Sequence, residues 1–199
     1  MPESHRNKKF VYHLTPVANL PSIVEHGLLP RATLVTMGLV HVDVADEEIL
    51  AGRGAALSKR VPFHFIARSP FDYAVFRRTP EHRYVLIAVE RTLAKRQHWE
   101  IVPRHPLAGG EDFQVHDWDS GLEKIDWEQL DRYPRPYDDD HACRLACMAE
   151  ALAPGVVPFC DIKKLFFESQ ADLEMACGTT GALKNCLPQQ NPSMFPRRP

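Results

Sequence analysis

Residues 140–168, DHACRLACMAEALAPGVVPFCDIKKLFFE, set one carboxylate, Glu150, inside the otherwise apolar run Leu145–Leu152. A charge in such a run is costly unless it is paired or employed. Glu150 therefore reads either as the exposed edge of an element or as a working group. The acidic run Asp138-Asp139-Asp140 favours a helix N-terminus through the macrodipole. A helix begun there carries Cys143, Cys147 and, on this reading, Glu150. Lys163–Phe167 reads as a strand and Ser169–Cys177 as a helix stopped by Gly178.

Outward from this stretch, short helices and scattered strands follow one another without a repeating unit. Residues 8–15, KKFVYHLT, alternate like a strand. Asn19 is placed to cap a short helix ending at Gly27, with Pro21 in its first turn, where a missing N–H costs nothing. Residues 46–53 read as a second short helix. Residues 61–67, VPFHFIA, and 83–89, RYVLIAV, read as strands, and Ser69-Pro70 opens a helix between them. Residues 103–121 read as a long loop and 126–132 as a helix. The class is α+β. Residues 1–178 form the expected domain. Residues 179–199, with Pro188, Pro192, Pro196 and Pro199, form a tail expected to be poorly ordered or to add one final edge segment.

A chain of 199 residues, 44% hydrophobic and 25% charged, suits one globular domain. The net charge of −2 excludes a generic polycation, but the charge is uneven. Residues 53–104 hold eleven Lys and Arg against four acids, and residues 111–150 hold twelve acids against four bases. Such asymmetry makes either a basic face for a polyanion or two halves that neutralise each other. The five cysteines, and an N-terminal MPESHRNKKF without an apolar signal region, point to free thiols in a reducing cytoplasm. No apolar run reaches the ~20 residues of a membrane span. Cys143 and Cys147 lack a second ligand pair, so packing is expected of them and no metal.

Four features can carry chemistry. His13 and Thr15, two apart on a strand, face one side and can share a ligand, although a buried, satisfied His fits the same spacing. Arg53 ends a short helix before a Gly. In Phe63-His64-Phe65 the two phenylalanines pack and His64 faces the other way, toward a cleft. Glu150 is the fourth.

In this order the four resemble the DarT-type ADP-ribosyltransferases, the toxin half of a bacterial toxin–antitoxin pair. The resemblance covers residues 8–178. YHLTPVANLPSIVEHGL is similar to the family's first strand and helix, and VPFHFIARSPF to its VPFYF-containing strand and helix. EKIDWEQL, MAEAL and VPFCDIKKLFF are similar to its late helix, catalytic segment and following strand. The resemblance implies the ADP-ribosyltransferase fold, a split antiparallel β-sheet core with an NAD cleft and surrounding short helices. It makes Glu150 and Arg53 the catalytic pair. It gives His13, Leu14 and Thr15, with Asn19, Ser22, Arg53 and His64, to NAD, which is consumed as substrate without a metal. The loop before the late helix, with Phe113, His116 and Trp118, becomes the substrate loop, whose aromatic residues stack on an unpaired base. Single-stranded DNA is then the acceptor, and a macrodomain antitoxin the partner.

Breaking the nicotinamide–ribose bond gives an oxocarbenium-like transition state, which a carboxylate stabilises. The chain departs from the family's pattern at Pro16, where a His is usual, and at His64, where Tyr is more frequent. It also has a short stretch after Arg53 and a short substrate loop. The acceptor therefore stays open on sequence, between thymidine or guanine in DNA, an RNA base and a protein side chain. Two alternatives remain: a same-fold enzyme acting on RNA, by base ADP-ribosylation or by 2'-phosphotransfer with Arg60, Arg68 and Arg77 as a phosphate pocket, and an inactive module that binds NAD or nucleic acid.

Overall fold

The computed structural model describes residues 3–44, 57–105 and 114–198. Among the described residues seven strands form one sheet: β1 Phe10–Pro16, β2 Val61–His64, β3 Tyr84–Glu90, β4 Glu100–Val102, β5 Glu150–Ala153, β6 Lys164–Phe167 and β7 Pro188–Gln190. Their spatial order is β4-β5-β2-β1-β3-β6-β7. Every pairing is antiparallel except that of β6 with β7. The α-helices among the described residues are α1 Leu20–His26, α2 Arg31–Met37, α3 Pro70–Arg78, α4 Arg91–Arg96, α5 Trp118–Lys124, α6 Trp127–Asp131, α7 His141–Ala146 and α8 Gln170–Thr179. None of these described helices is long and apolar enough to cross a membrane.

β3 shows why the sheet is two-sided. Its run YVLIAV is buried throughout, because alternate residues feed two cores. Val85, Ile87 and Val89 join the larger core, while Tyr84, Leu86 and Ala88 join the smaller one on the opposite face. β1 pairs with β3 along its whole length, from Phe10↔Glu90 to Pro16↔Tyr84, but shares with β2 the single register position Tyr12↔His64. The sheet is thus closed on one side of β1 and splayed on the other. α3 starts as its sequence dictates: Ser69 and Asp72 form a reciprocal capping box, with Pro70 in the first turn.

Several readings are corrected. Glu150 opens strand β5 instead of closing the helix before it; α7 stops at Ala146, with Cys147 as its C-cap. The reason is tertiary: residues 150–153 pair with β2 on one side and β4 on the other, and these ladders outweigh continuation of a helix. Asn19 makes no side-chain cap to α1. Residues 103–121 are not all loop, because Asp117 caps α5 from Trp118 onward. The VPF strand ends at His64, and α8 runs through Gly178 to Thr179. The helix expected over 46–53 lies outside the described residues. Cys143 and Cys147 both belong to the larger core. Beyond residue 178, β7 lies parallel to β6 at the sheet edge, and Phe195 packs against Phe76 in the smaller core.

Candidate active site

A cleft of about 380 Å³ opens where β1 and β2 splay. His13, Leu14 and Thr15 of β1 line it with Val61, Pro62 and His64 at β2, Glu150 at the start of β5, and Asn19 and Ser22 from the first helical segment. Glu150 and His64 are cross-strand partners, so their side chains leave the sheet on one face. That face also carries Leu152, which packs with Leu57 and Val102, whereas Phe63 and Ala151 enter the larger core. Glu150 is 1% exposed and His64 7%. The His64 ring lies 5.5 Å from Phe71 of α3.

His13 spans the splay. Its Nδ1 is 2.8 Å from the Pro62 carbonyl oxygen. A carbonyl only accepts, so Nδ1 carries the proton and the neutral ring presents Nε2 as an acceptor. Burial pushes the His13 pKa down to about 4; the Pro62 bond and Glu150 oppose that shift, and His64 reinforces it. The ring is therefore uncharged at neutral pH.

Asn19, expected as a cap, instead builds a wall. Its amide donates to Thr15 Oγ1 at 3.0 Å and to the Val42 carbonyl at 3.0 Å, and accepts from the Val42 N–H at 2.8 Å. Residues 41–44 are thereby held against β1. Arg31 pairs with Asp43 and Arg78 donates to the Val44 carbonyl, which fastens the same segment twice more. Val44 and Leu57, the described residues on either side of 45–56, both line the cleft. The other rim has Arg60, whose Nε donates to Glu100 at 2.5 Å, His105, Met148 and Arg144. The His105 N–H donates to Leu145 at 3.0 Å, tying this rim to α7.

The structure thus gathers His13, Leu14, Thr15, Asn19, Ser22, His64 and Glu150 around one space. It does not bring Trp118 there. Trp118 is 6% exposed in the larger core, with its ring 6.3 Å from Phe65, and has no face left for a base. His116 is engaged through its backbone with Ile101 at the sheet edge. Arg53 and Phe113 lie outside the described residues. Of the three arginines weighed as a phosphate pocket, Arg60 lines the cleft, while Arg77 points to Asp138 and the Arg68 carbonyl accepts from the Tyr137 hydroxyl at 3.0 Å. Phe71, Ala74, Val75 and Arg78 were not anticipated, although their spacing marks one face of α3. Arg31, His41, Asp43, His105 and Arg144 had no local signal, since long-range contacts alone bring them in. Among the described residues no group of three His, Cys, Asp or Glu side chains could hold a metal ion.

A carboxylate and a neutral imidazole at a split in an antiparallel sheet, walled by hydrogen-bonding side chains, define the class as the ADP-ribosyltransferase fold. The family described as ssDNA thymidine ADP-ribosyltransferase, DarT, matches residues 12–184. The chain belongs to the DarT family. Thermus sp. 2.9 DarT in complex with ADP-ribosylated ssDNA superposes with a TM-score of 0.81 at 18% identity, over 98% of this chain and 100% of that one. The same Thermus protein in complex with NAD+ gives 0.76 at 18% identity, over 96% and 98%. Thermosipho africanus DarTG in complex with ADP-ribose gives 0.73 at 20% identity, over 94% of this chain and 51% of that one. No curated protein matches the chain.

Proposed function

We propose that the protein transfers ADP-ribose from NAD to a base of single-stranded DNA, thymidine being the acceptor that the family's description supplies, and that it acts as the toxin of a toxin–antitoxin pair. The observation that carries this reading is Glu150: a carboxylate buried to 1% exposure, fixed by strands on both sides, at the floor of the cleft that His13 and Thr15 line. A cleft of about 380 Å³ falls in the size range of ligand pockets, and its walls offer the acceptors and donors a dinucleotide needs.

Each residue has a role in this chemistry. His13 accepts a ribose hydroxyl through Nε2, and the Thr15 hydroxyl binds beside it. Glu150 stabilises the positive charge that grows on the ribose as the bond to nicotinamide lengthens, and holds a ribose hydroxyl. As the acceptor atom bonds to the ribose carbon, Glu150 is also placed to take the proton that the base gives up. Arg53 completes the catalytic pair, as the resemblance implies. The reaction belongs in the cytoplasm, where NAD and DNA meet, and a macrodomain antitoxin that removes the mark is the expected partner.

Mass spectrometry of short DNA and RNA oligonucleotides incubated with NAD and the purified protein tests this. An ADP-ribose adduct on thymidine-containing DNA is expected, reduced at least about a hundredfold by Glu150→Gln, a nearly isosteric change. Equal turnover by that variant removes Glu150 from the chemistry. Adducts confined to RNA move the acceptor, and no adduct with intact NAD binding leaves a binding module.

A further inference from the structure

Among the described residues, four guanidinium groups line the cleft: Arg31, Arg60, Arg78 and Arg144. Three are tied down within the protein, to Asp43, to Glu100 and to the Val44 carbonyl. The side chain of Arg144 is exposed and, among the described residues, makes no hydrogen bond or ion pair. An arginine in the last turn of a helix suits the helix dipole. That alone does not explain an unengaged guanidinium on the rim of a reactive cleft.

Its position says which anion it awaits. In the order β4-β5-β2-β1, Glu150 on β5 is separated from His13 and Thr15 on β1 by β2. Arg144 precedes β5 on α7, and the His105 bond to Leu145 ties α7 to the chain leaving β4. Arg144 therefore stands on the far side of Glu150 from His13. With the donor lying over β1 and β2 and its reacting ribose at Glu150, an acceptor strand has to approach from the β4–β5 side. We infer that Arg144 contacts a backbone phosphate of the acceptor strand next to the modified nucleotide, and so positions that nucleotide against Glu150. The inference rests on the proposed transferase reading and adds to it the residue that grips the acceptor.

Fluorescence anisotropy of a labelled, thymidine-containing single strand tests it, with saturating NAD and in the Glu150→Gln background so that the strand is bound but not modified. Removing one phosphate contact lowers the steepness of log K against log salt by about 0.7 for a single strand. Losing a charge-assisted contact raises Kd by about tenfold or more. Arg144→Gln is expected to show both effects, and Arg144→Lys to keep the steepness. Arg77→Gln, at an exposed site paired with Asp138 at 3.4 Å, is expected to show neither. Calorimetric titration with NAD is expected to be the same with and without Arg144→Gln. An unchanged salt dependence in Arg144→Gln overturns the inference while leaving the transferase reading intact. A weakened NAD titration with unchanged strand binding also overturns it, and moves Arg144 to the donor side. If the Glu150→Gln parent binds NAD but no strand, the acceptor reading itself fails and the inference falls with it.

Discussion

His13→Gln isolates a proton-linked contribution to stability that the cleft builds into β1. The folded imidazole, held down to about 4 chiefly by burial, compares with an ordinary value of 6.5 in the unfolded chain. The unfolded state therefore takes up the proton first as pH falls. The stability associated with neutral His13 is fully present above about 6.5 and is lost as pH drops toward about 4. The complete loss corresponds to about 3 kcal/mol, and the part already lost at pH 5 to about 2 kcal/mol. The ring is half-buried, so solvent reaching it through the cleft mouth trims the value at pH 5 to between about 1 and 2 kcal/mol. Gln keeps an N–H for the Pro62 carbonyl but cannot be protonated. Urea unfolding of both proteins at pH 7.5 and pH 5.0 gives the comparison. Wild type is expected to lose about 1–2 kcal/mol more than His13→Gln between those conditions. Titrating groups that do not interact with His13 are common to the two proteins and cancel; His64 and Glu150, which do, make only the smaller contributions to its shift. Identical pH dependence, within a few tenths of a kcal/mol, would refute the buried, neutral imidazole.

Asp72 acts with the opposite sign. It is 3% exposed at the start of α3, and burial pushes its pKa up to about 7 despite the Ser69 N–H at 2.9 Å. Its contribution is fully present below the ordinary 3.8 and is lost as pH rises through about 7. Wild type should thus lose more stability than Asp72→Asn between pH 5 and pH 8, by an amount on the order of 2 kcal/mol in urea unfolding, and parallel pH profiles would contradict this. Trp118→Ala should cost about 3–5 kcal/mol of stability, as for a buried aromatic, while the strand affinity of the folded fraction stays the same in anisotropy titrations. A selective loss of strand binding at unchanged stability would put Trp118 back in the substrate loop.

The parts of the fold written locally were the parts legible in the sequence. The Ser69-Pro70 helix start, the alternation in β1 and the apolar run of β3 each need only neighbouring residues to specify them, and each is in place. Glu150 was legible as an anomaly but not as a strand residue. A run of four between apolar neighbours carries no periodicity that separates helix from strand, and its pairing partners, His64 and Val102, lie far off in the chain. Asn19 shows the converse failure. Its cap signal is local and strong, but Val42 offers both an N–H and a carbonyl, and the side-chain amide satisfies both there. Trp118 misled because a long aromatic-bearing loop resembles a recognition surface until α5 is seen to carry the indole into the core.

The splay between β1 and β2 explains how a buried carboxylate and an open cleft come to share one place. Continuing the ladder from Tyr12↔His64 would set Leu14 opposite Pro62, a residue with no N–H to donate. The Pro62 carbonyl turns instead to the His13 side chain, and the two strands separate from there onward. β1 keeps its place because β3 pairs with its whole length, and β2 keeps its place because β5 pairs with it from Val61↔Ala153 to His64↔Glu150. The gap therefore opens without loosening either strand, which is what a site must do if it is to hold reacting groups to within fractions of an ångström. Glu150 sits at the last register position of β5 against both β2 and β4, beside the gap rather than inside a continuous ladder. Burying its carboxylate carries a desolvation cost. That cost is recovered when a positive charge develops next to it, so the same burial that strains the resting fold sharpens its preference for the transition state over the ground state.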